Sequence, residues 1–244
     1  MPPLQEKICL IIPCYNEARR IRLDTFEAAS REIFFLFVND GSRDDTADIL
    51  RRGIARNANM FILDLQKNVG KAEAVRQGML HLKRLPVFKR ITWVGYWDAD
   101  LATPLSEVPH FYGYAKLYGQ EIDAIWGSRV SRLGSSIIRS HLRHFLGRAF
   151  ATIIGFTLKV KSYDSQCGAK LFKKELIDPA FSRKFISKWI FDVEILLRLK
   201  KYKILEYPLR VWNDVRGSKI RIFSVALGTL VDIMVIAGHY RESR

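Results

Sequence analysis

Asp98 and Asp100 frame an Asp-Ala-Asp triplet that follows an apolar run at residues 91–96, which predicts a buried strand. Two carboxylates one residue apart repel each other unless a cation lies between or beside them. Their hard oxygen atoms suit Mg²⁺ or Mn²⁺, and proteins usually hold Mg²⁺ with one or two carboxylates together with substrate phosphates. A lone acidic triplet is weak evidence, but its place at a strand end makes it informative. We therefore predict a divalent metal site at Asp98 and Asp100.

Polar clusters also follow three further apolar runs. They are PCYNE (13–17), VNDGSRDDT (38–46) and NVGKA (68–72). In open α/β sheets, ligands bind beyond the carboxyl ends of the strands, so four such clusters on one edge indicate a single site. Asp44 and Thr46 have a simpler interpretation, since they can cap the helix that follows.

Alternating apolar runs and amphipathic stretches predict the elements that position these clusters. The predicted strands cover 8–12, 34–38, 60–65, 91–96, 124–126 and 204–212; the predicted helices cover 17–31, 44–56, 71–82, 137–160, 192–200 and 222–238. Such alternation is typical of βαβ units. It predicts an α/β fold with a mostly parallel sheet covered by helices on both faces.

Composition excludes several classes of protein. The chain has 244 residues with 48% hydrophobic and 27% charged residues, as expected for one large folded domain. Cys9, Cys14 and Cys167 cannot all pair and show no CxxC spacing, which argues against a disulfide scaffold or a zinc finger and favours a reducing compartment. The N-terminal residues do not read as a secretory signal.

A basic excess indicates an anionic partner. Lys and Arg number 40 against 25 Asp and Glu, a net charge of +15. No like-charge run or known motif indicates nucleic acid, and the cations concentrate in 129–148 and 198–244 among aromatic and aliphatic residues. This mixture favours an anionic membrane surface, with a plain solvated surface as the alternative. The apolar stretch 222–238 contains Asp232, so it predicts an in-plane or core helix rather than a membrane span.

Eight motifs together resemble the nucleotide-sugar domain of the family-2 inverting glycosyltransferases, and more narrowly the dolichyl-phosphate (polyprenyl-phosphate) β-glucosyltransferase branch. They are PCYNE (13–17), VNDGSRDDT (38–46), NVGKAEAVRQGM (68–79), DADLATP (98–104), GSR (127–129), DSQCGAKLF (164–172), FDVE (191–194) and GSKI (217–220). VNDGS and DAD mark the broad family, whereas DSQCGAKLF and GSK mark the branch. The resemblance covers nearly the whole chain.

The resemblance implies a Rossmann-like GT-A domain over 1–220, with 221–244 as an amphipathic helix that belongs to the domain or contacts the membrane. It implies transfer of a hexose, glucose from UDP-glucose, to a polyprenyl or dolichyl phosphate by a peripheral enzyme on the cytoplasmic face of a membrane. A separate membrane protein partner is compatible with it. Two alternatives stay open: a soluble or glycan hydroxyl acceptor, and mannose from GDP-mannose. Mannosyl relatives usually carry Gln at the position of Ala102, which favours glucose here.

The resemblance also implies roles for individual residues. The nucleotide sugar is expected to contact Pro13, Tyr15, Glu17, Asp40, Lys71, Asp98 and Gln166, and the expected catalytic residues are Asp100, Arg129 and Glu194. Arg129 would neutralise the charge that grows on the departing diphosphate. A surface salt bridge is the competing interpretation of Arg129.

The acceptor decides whether a general base is needed. A hydroxyl acceptor requires one, and Asp192 and Glu194 are the candidates in the second half of the chain, although Glu194 also suits the start of a helix structurally. A lipid monophosphate arrives mostly ionised and needs no base. The expected ligands of this phosphate are Arg216, Ser218 and Lys219. Asp164 and Gln166 are expected to line the sugar pocket, and Cys167 is not expected to be a nucleophile, because no His lies near it in sequence.

Overall fold

The structure is a computed structural model that describes residues 7–117, 122–138, 141–214 and 222–242. Its main strands are β1 Ile8–Cys14, β2 Ile33–Asp40, β3 Met60–Leu65, β4 Trp93–Trp97, β5 Ala124–Ser128, β7 Ala169–Lys173 and β8 Ile204–Pro208. They form one seven-stranded sheet with the order β3-β2-β1-β4-β7-β5-β8. A separate parallel pair joins β6 (Ser136–Ile138) to β9 (Val211–Asn213).

In this sheet β7 runs antiparallel to its neighbours β4 and β5, while the other pairings are parallel. The carboxyl ends of six strands and the amino end of β7 therefore lie at the same edge, which we call the carboxyl edge. Each of the predicted polar clusters that follows a strand belongs to this edge. The mostly parallel sheet predicted from the sequence is confirmed.

Helices cover both faces of the sheet. They are α1 Leu23–Ala29, α2 Thr46–Ile54, α3 Lys71–Leu82, α4 Val108–Leu117, α5 His141–Leu158, α6 Ile177–Phe181, α7 Phe191–Arg198 and α8 Ile222–Glu242. One apolar cluster packs α1 and α4 on one face, and a second packs α3, α6 and α7 on the other. Strand β2 is buried along its whole length, as its continuous apolar sequence requires.

Two predicted helices are shorter than expected. The helix predicted at 17–31 begins only at Leu23, because the N–H of Glu17 donates to Thr46 Oγ1 (2.8 Å) and the following residues form a turn. The helix predicted at 44–56 begins at Thr46, whose N–H donates to Asp44 Oδ1 (3.1 Å). The N-cap residue is Asp45, whose side chain makes no capping hydrogen bond; Asp44, one residue earlier, accepts the first N–H of α2 instead and also accepts the Ala18 N–H of the neighbouring turn (3.3 Å).

Two other predicted elements need correction, and two elements of the structure were not predicted. Of the described residues in the helix predicted at 137–160, only those of α5 are helical, and the first two predicted residues belong to strand β6 instead. The strand predicted at 204–212 is split, because Pro208 has no N–H to donate and the Arg210 N–H instead donates to the buried Glu107 carboxylate (3.0 Å). Strand β7 was not predicted at all, since Lys170 and Lys173 interrupt its apolar pattern. Helix α4 was also missed.

A third apolar cluster joins α5 and α8 to α7. Its buried members include Ile154, Leu158, Val193, Leu197, Ile233 and Ile236. Arg198 Nε also donates to the Tyr240 hydroxyl (3.0 Å), so α8 packs on α7 through polar as well as apolar contacts. Among the described residues, no helix has both the length and the apolarity that crossing a bilayer demands.

Candidate functional site

The turns that follow β1 and β2 are hydrogen-bonded to each other. The Asn16 N–H donates to Ser42 Oγ (3.0 Å), and the Arg43 N–H donates to Asn16 Oδ1 (2.8 Å). Asn16 has a φ of +53°, a left-handed conformation that Asn adopts more readily than most residues. The two turns therefore form one braced corner of the carboxyl edge, which contains the predicted nucleotide-binding residues Tyr15 and Glu17.

This corner also contains an arginine that the sequence analysis missed. The Glu17 carboxylate, largely buried, binds Arg20 through Nη2 (2.5 Å) and Nε (3.0 Å). The charge of Arg20 acts on the Asp100 carboxyl, so the corner and the Asp-Ala-Asp triplet are electrostatically connected. A groove beside the corner is lined by Asn16, Ala18, Arg19, Arg20, Asp44, Asp45 and Ile49. Pro13, half-buried, lies within β1 and pairs with Val38.

Asp40, at the end of β2, holds the loop that precedes α3. Its Oδ1 accepts the Val69 N–H (2.7 Å), and its Oδ2 accepts the Gly70 N–H (2.9 Å) and the Asn68 side-chain amide (3.1 Å). Burial raises the pKa of Asp40, against the opposing effect of the two backbone hydrogen bonds. Asp40 therefore positions the first residue of α3, Lys71; its contact with a nucleotide stays a prediction.

Asp98 lies beyond β4, above a glycine of the turn that precedes β7. Its N–H donates to the Gly168 carbonyl (3.1 Å), and a Cβ on Gly168 would lie 1.8 Å from Asp98 Oδ2. Only glycine therefore leaves room for this carboxylate. Lys71 Nζ donates to Asp98 Oδ1. Desolvation opposes the charge of Lys71, but Asp98, then Asp192 and Asp100, raise the pKa of the lysine overall.

Asp100 is the second carboxylate of the triplet and is partly buried. Burial raises its pKa first, and the neighbouring Asp98 charge raises it further, while the Ala102 N–H that donates to Oδ1 (3.1 Å) acts in the opposite direction. The charge of Lys71 also favours the ionised form. The pair thus has the repulsion expected of it, and Asp98 already binds one cation, the ammonium group of Lys71.

The donor set of this pair fits a divalent ion. Within the part of the chain that the structure describes, no group of three or more His, Cys, Asp or Glu side chains could hold a metal by itself. The protein would therefore contribute the two carboxylates of Asp98 and Asp100, and the other ligands would come from a diphosphate and water, the arrangement typical of Mg²⁺. Ala102 contributes only a backbone contact, so it supplies no third side-chain ligand.

Arg129, which follows β5, is bound in a bidentate ion pair. Its Nε and Nη2 donate to Asp164 Oδ2 (2.6 Å) and Oδ1 (2.7 Å), and its backbone N–H donates to Oδ2 as well (3.1 Å). The Trp212 ring centroid lies 5.4 Å from the guanidinium carbon. Burial alone would raise the pKa of Asp164, but the charge and hydrogen bonds of Arg129 lower it to about 2. The pair is mostly buried, so its description as a surface salt bridge is wrong.

A second ion pair, also buried, lies beneath Asp98 and was not predicted from the sequence. Lys170 Nζ donates to Asp192 Oδ1 (2.5 Å) and to the Cys167 carbonyl. The Tyr96 hydroxyl donates to the same Asp192 oxygen. Burial raises the pKa of Tyr96 well above its usual value, so it remains a donor. Asp192 is therefore engaged by two donors and is poorly suited to act as a general base. The signal in the sequence that could have revealed this ion pair is Lys170, which lies among apolar residues in the motif DSQCGAKLF (164–172).

Three buried side-chain atoms of the described residues have no hydrogen-bond partner: Trp126 Nε1, Ser128 Oγ and Gln166 Nε2. Ser128 is the last residue of β5, and Gln166 belongs to the turn before β7, so both lie at the carboxyl edge. Buried donors without partners are costly, which agrees with the prediction that Gln166 binds a polar ligand. Next to it, burial raises the pKa of the Cys167 thiol to about 11, which argues against a nucleophilic role.

Glu194 has a structural role in α7. Its side chain is fully buried, and its two carboxylate oxygens accept the N–H groups of Ile186 (3.1 Å) and Ser187 (2.9 Å). Burial raises its pKa, and these two N–H groups oppose the rise. The contacts favour the structural interpretation over the catalytic one, because a base must reach a proton on its substrate. The catalytic role of Glu194 stays a prediction, with these contacts on the side of the structural interpretation.

The predicted acceptor-phosphate residues Arg216, Ser218 and Lys219 lie outside the described residues. The last described residues before them continue from β9, and the Asn213 N–H donates to the Ala102 carbonyl (2.9 Å). The chain therefore passes the Asp98–Ala102 turn immediately before this segment.

Comparison with known proteins identifies the family. Residues 9–181 match the model of glycosyl transferase family 2. The chain belongs to glycosyltransferase family 2. A dolichyl-phosphate beta-glucosyltransferase of Trichomonas vaginalis, ALG5D, is 30% identical over 97% of this chain and 75% of its own length. The dolichyl-phosphate beta-glucosyltransferases of Saccharomyces cerevisiae and Homo sapiens are 31% and 28% identical over 97% and 96% of this chain, and over 77% and 76% of their own lengths.

Solved structures confirm the glycosyltransferase fold. Glucosyl-3-phosphoglycerate synthase from Mycobacterium tuberculosis, in complex with Mn²⁺, UDP and glucosyl-3-phosphoglycerate, superposes with a TM-score of 0.65 at 14% identity, covering 96% of this chain and 81% of that one. The same enzyme with Mg²⁺ and UDP gives 0.65 at 16% identity, covering 96% and 80%. At this level of identity the likeness shows that this chain shares the GT-A architecture of these structures.

Proposed function

We propose that this glycosyltransferase moves glucose from UDP-glucose to dolichyl phosphate or another polyprenyl phosphate, with Mg²⁺ or Mn²⁺ held by Asp98 and Asp100. The observation that carries the proposal is the carboxylate pair at the carboxyl edge, in which Asp98 already binds the ammonium group of Lys71. The chain that holds this pair aligns over almost its whole length with dolichyl-phosphate beta-glucosyltransferases. The UDP complexes of the structural neighbours support the donor.

On the donor side, the residues of the carboxyl edge would bind the diphosphate and stabilise it as it leaves. When bound, the metal ion supplies Lewis-acid charge to the diphosphate oxygens. Lys71 adds a cation that is already directed at Asp98. Arg129 remains charged, because the Asp164 charge raises its pKa despite desolvation, and its Nη1 group is not used by Asp164. These charges matter most when the leaving group develops its own, which is where they lower the barrier.

On the acceptor side, the contacts favour a lipid phosphate over a hydroxyl. Asp192 accepts from Lys170 and Tyr96, and Glu194 accepts backbone N–H groups, so neither carboxylate is arranged to remove a proton. A phosphate monoester has a second pKa of about 6 and attacks without a base. The segment with Arg216, Ser218 and Lys219, proposed to bind that phosphate, follows directly after the residues that contact the Asp98–Ala102 turn.

We further propose that the acceptor is reached at an anionic membrane surface. The solvent side of α5 exposes Phe145 (72%) and Phe156 (84%), and that of α8 exposes Met234 (66%) beside Val231 and Val235. The sequence from 124 to 163 contains seven Lys or Arg residues and no Asp or Glu. Each cation near an anionic leaflet contributes on the order of 1 kcal/mol, and exposed aromatic rings can insert below the headgroups.

Vesicle sedimentation tests this surface. Phe145→Ser with Phe156→Ser should lower binding to phosphatidylserine-containing vesicles about tenfold or more, because two exposed aromatic rings that would insert below the headgroups are lost. Leu117→Ser on α4, an equally exposed apolar residue of another helix, is the control and should bind like the wild type. Equal binding by the double variant would contradict the assignment. A concentration-dependent dimer that the double variant abolishes would assign the surface to a second copy of the chain.

The transfer reaction is tested with labelled UDP-glucose, Mg²⁺ and a short polyprenyl phosphate, which should give an organic-soluble, acid-labile product. Asp100→Asn should remove most turnover while the melting temperature is kept, because only the charge that holds the metal ion is lost. Asp178→Asn, which changes an exposed carboxylate paired with Lys83, is the matched control. GDP-mannose as the preferred donor, or a water-soluble acceptor that replaces the lipid phosphate, would overturn the proposal.

A further inference from the structure

A buried lysine occupies the sheet directly beneath the donor site. Lys170 has no exposed surface, and it stands opposite Tyr96 on β4 and opposite Trp126 on β5. Its Nζ atom lies 5.2 Å from the centroids of both rings. Burying an ammonium group is expensive, and apolar residues of similar volume often serve stability as well or better. The lysine therefore calls for an explanation other than packing.

The register of β4 and β7 places Lys170 on the same face of the sheet as Asp98, one pair of residues further from the carboxyl edge. Side chains two residues apart share a sheet face, and continuing the pairing of Tyr96 with Lys170 brings Asp98 opposite Gly168. The hydrogen bond from the Asp98 N–H to the Gly168 carbonyl (3.1 Å) confirms that continuation. The lysine thus lies under the glycine that makes room for the Asp98 carboxylate.

Lys170 is hydrogen-bonded to one turn, residues 164–168, and this turn contacts both Asp98 and Arg129. Nζ donates to the Cys167 carbonyl inside this turn. The next carbonyl, that of Gly168, accepts the Asp98 N–H, and the first residue of the turn, Asp164, binds the side chain and N–H of Arg129. Asp192 holds Lys170 in place from α7.

We infer that Lys170, held by Asp192 and Tyr96, is a positioning residue that fixes the 164–168 turn and thereby sets the relative placement of Asp98 and Arg129. Its effect on turnover rests on the proposed function. Its effect on the turn does not, because the turn is part of the fold with or without a substrate.

The decisive variant removes the polar trio without leaving a buried charge. Lys170→Met combined with Asp192→Leu and Tyr96→Phe replaces it with apolar side chains, so the urea midpoint of unfolding should stay close to that of the wild type. Amide hydrogen exchange at Asp98 and Arg129 should become about tenfold faster, since the partners of both N–H groups lie in the released turn. Turnover should fall about 100-fold with the KM for the polyprenyl phosphate unchanged, because misplaced groups cost rate.

Lys173→Met is the matched control on the same strand. Lys173 is partly exposed and pairs with Asp123 (3.1 Å), and its loss should leave exchange and turnover as in the wild type. A triple variant that keeps wild-type exchange at Asp98 and Arg129, or regains wild-type turnover, overturns the inference; so does one that fails to fold, which would assign the trio to stability. If the wild type shows no transfer to polyprenyl phosphate, the proposed function fails, and hydrogen exchange still decides the role of Lys170.

Discussion

Replacing Asp164 with Asn removes the charge that holds Arg129 in the donor site. Arg129 then stays largely buried, with no carboxylate to balance its charge. Breaking such a pair costs about 3–5 kcal/mol. A domain has a free energy of unfolding of about 5–15 kcal/mol in total, so we expect Asp164→Asn to lose a large fraction of its stability at neutral pH.

The pH dependence gives a second, independent magnitude. The pKa of Asp164 falls from 3.8 to about 2 on folding, because the charge of Arg129 outweighs desolvation. A carboxyl group whose pKa is lower in the folded state stabilises the fold at pH values above its unfolded-state pKa. This contribution is lost as the pH falls through the folded-state pKa. The difference between the two pKa values corresponds to about 2 kcal/mol of folding free energy, and most of this stabilisation is lost between about pH 5 and pH 2. Asp164→Asn lacks this part of the pH dependence.

Urea denaturation at a series of pH values measures both quantities. The wild type should lose about 2 kcal/mol more than Asp164→Asn between about pH 5 and pH 2. Asp178→Asn, at an exposed ion pair with Lys83, should cost no more than about 1 kcal/mol. An Asp164→Asn variant within about 1 kcal/mol of the wild type at neutral pH, with a parallel pH profile, would refute a strong buried pair.

Three further predictions follow from individual contacts. Lys71→Met should raise the KM for UDP-glucose about tenfold in steady-state assays, because a cation at the diphosphate site is lost; an unchanged KM would place Lys71 outside that site. Glu194→Gln should lower the free energy of unfolding by about 1–2 kcal/mol while turnover per folded molecule stays unchanged, and a selective loss of turnover would restore its catalytic assignment. Cys167, with a thiol pKa of about 11, should resist iodoacetamide at pH 8 in the native protein and react in urea; rapid native alkylation would contradict its burial.

The parallel half of the fold is well predicted from the sequence. Strand β3 and helix α3 have the predicted bounds, because each is marked by an uninterrupted pattern and clear ends. Strand β7 was not predicted, since the period-two pattern expects its second residue to be apolar when buried, and Lys170 instead forms a buried ion pair with Asp192. A partner 22 residues away is invisible to local patterning.

The composition of the site is predicted better than its contacts. The Asp-Ala-Asp triplet and Arg129 lie at the carboxyl edge, because each directly follows a strand that ends there. The ion pair of Arg129 with Asp164 joins residues 35 positions apart, and only the antiparallel β7 brings the turn of Asp164 to that edge. Acidic residues at a helix start serve structural and catalytic roles alike, and the burial of Glu194 favours the structural one.

Calorimetric titration of UDP with and without Mn²⁺ tests the central claim most directly. If Asp98 and Asp100 hold a divalent ion against the diphosphate, Mn²⁺ should strengthen UDP binding to the wild type about tenfold or more, and Asp100→Asn should lose that gain while it keeps the metal-free affinity. UDP binding that is equally strong without Mn²⁺, or an Asp100→Asn variant with the full gain, would contradict the account.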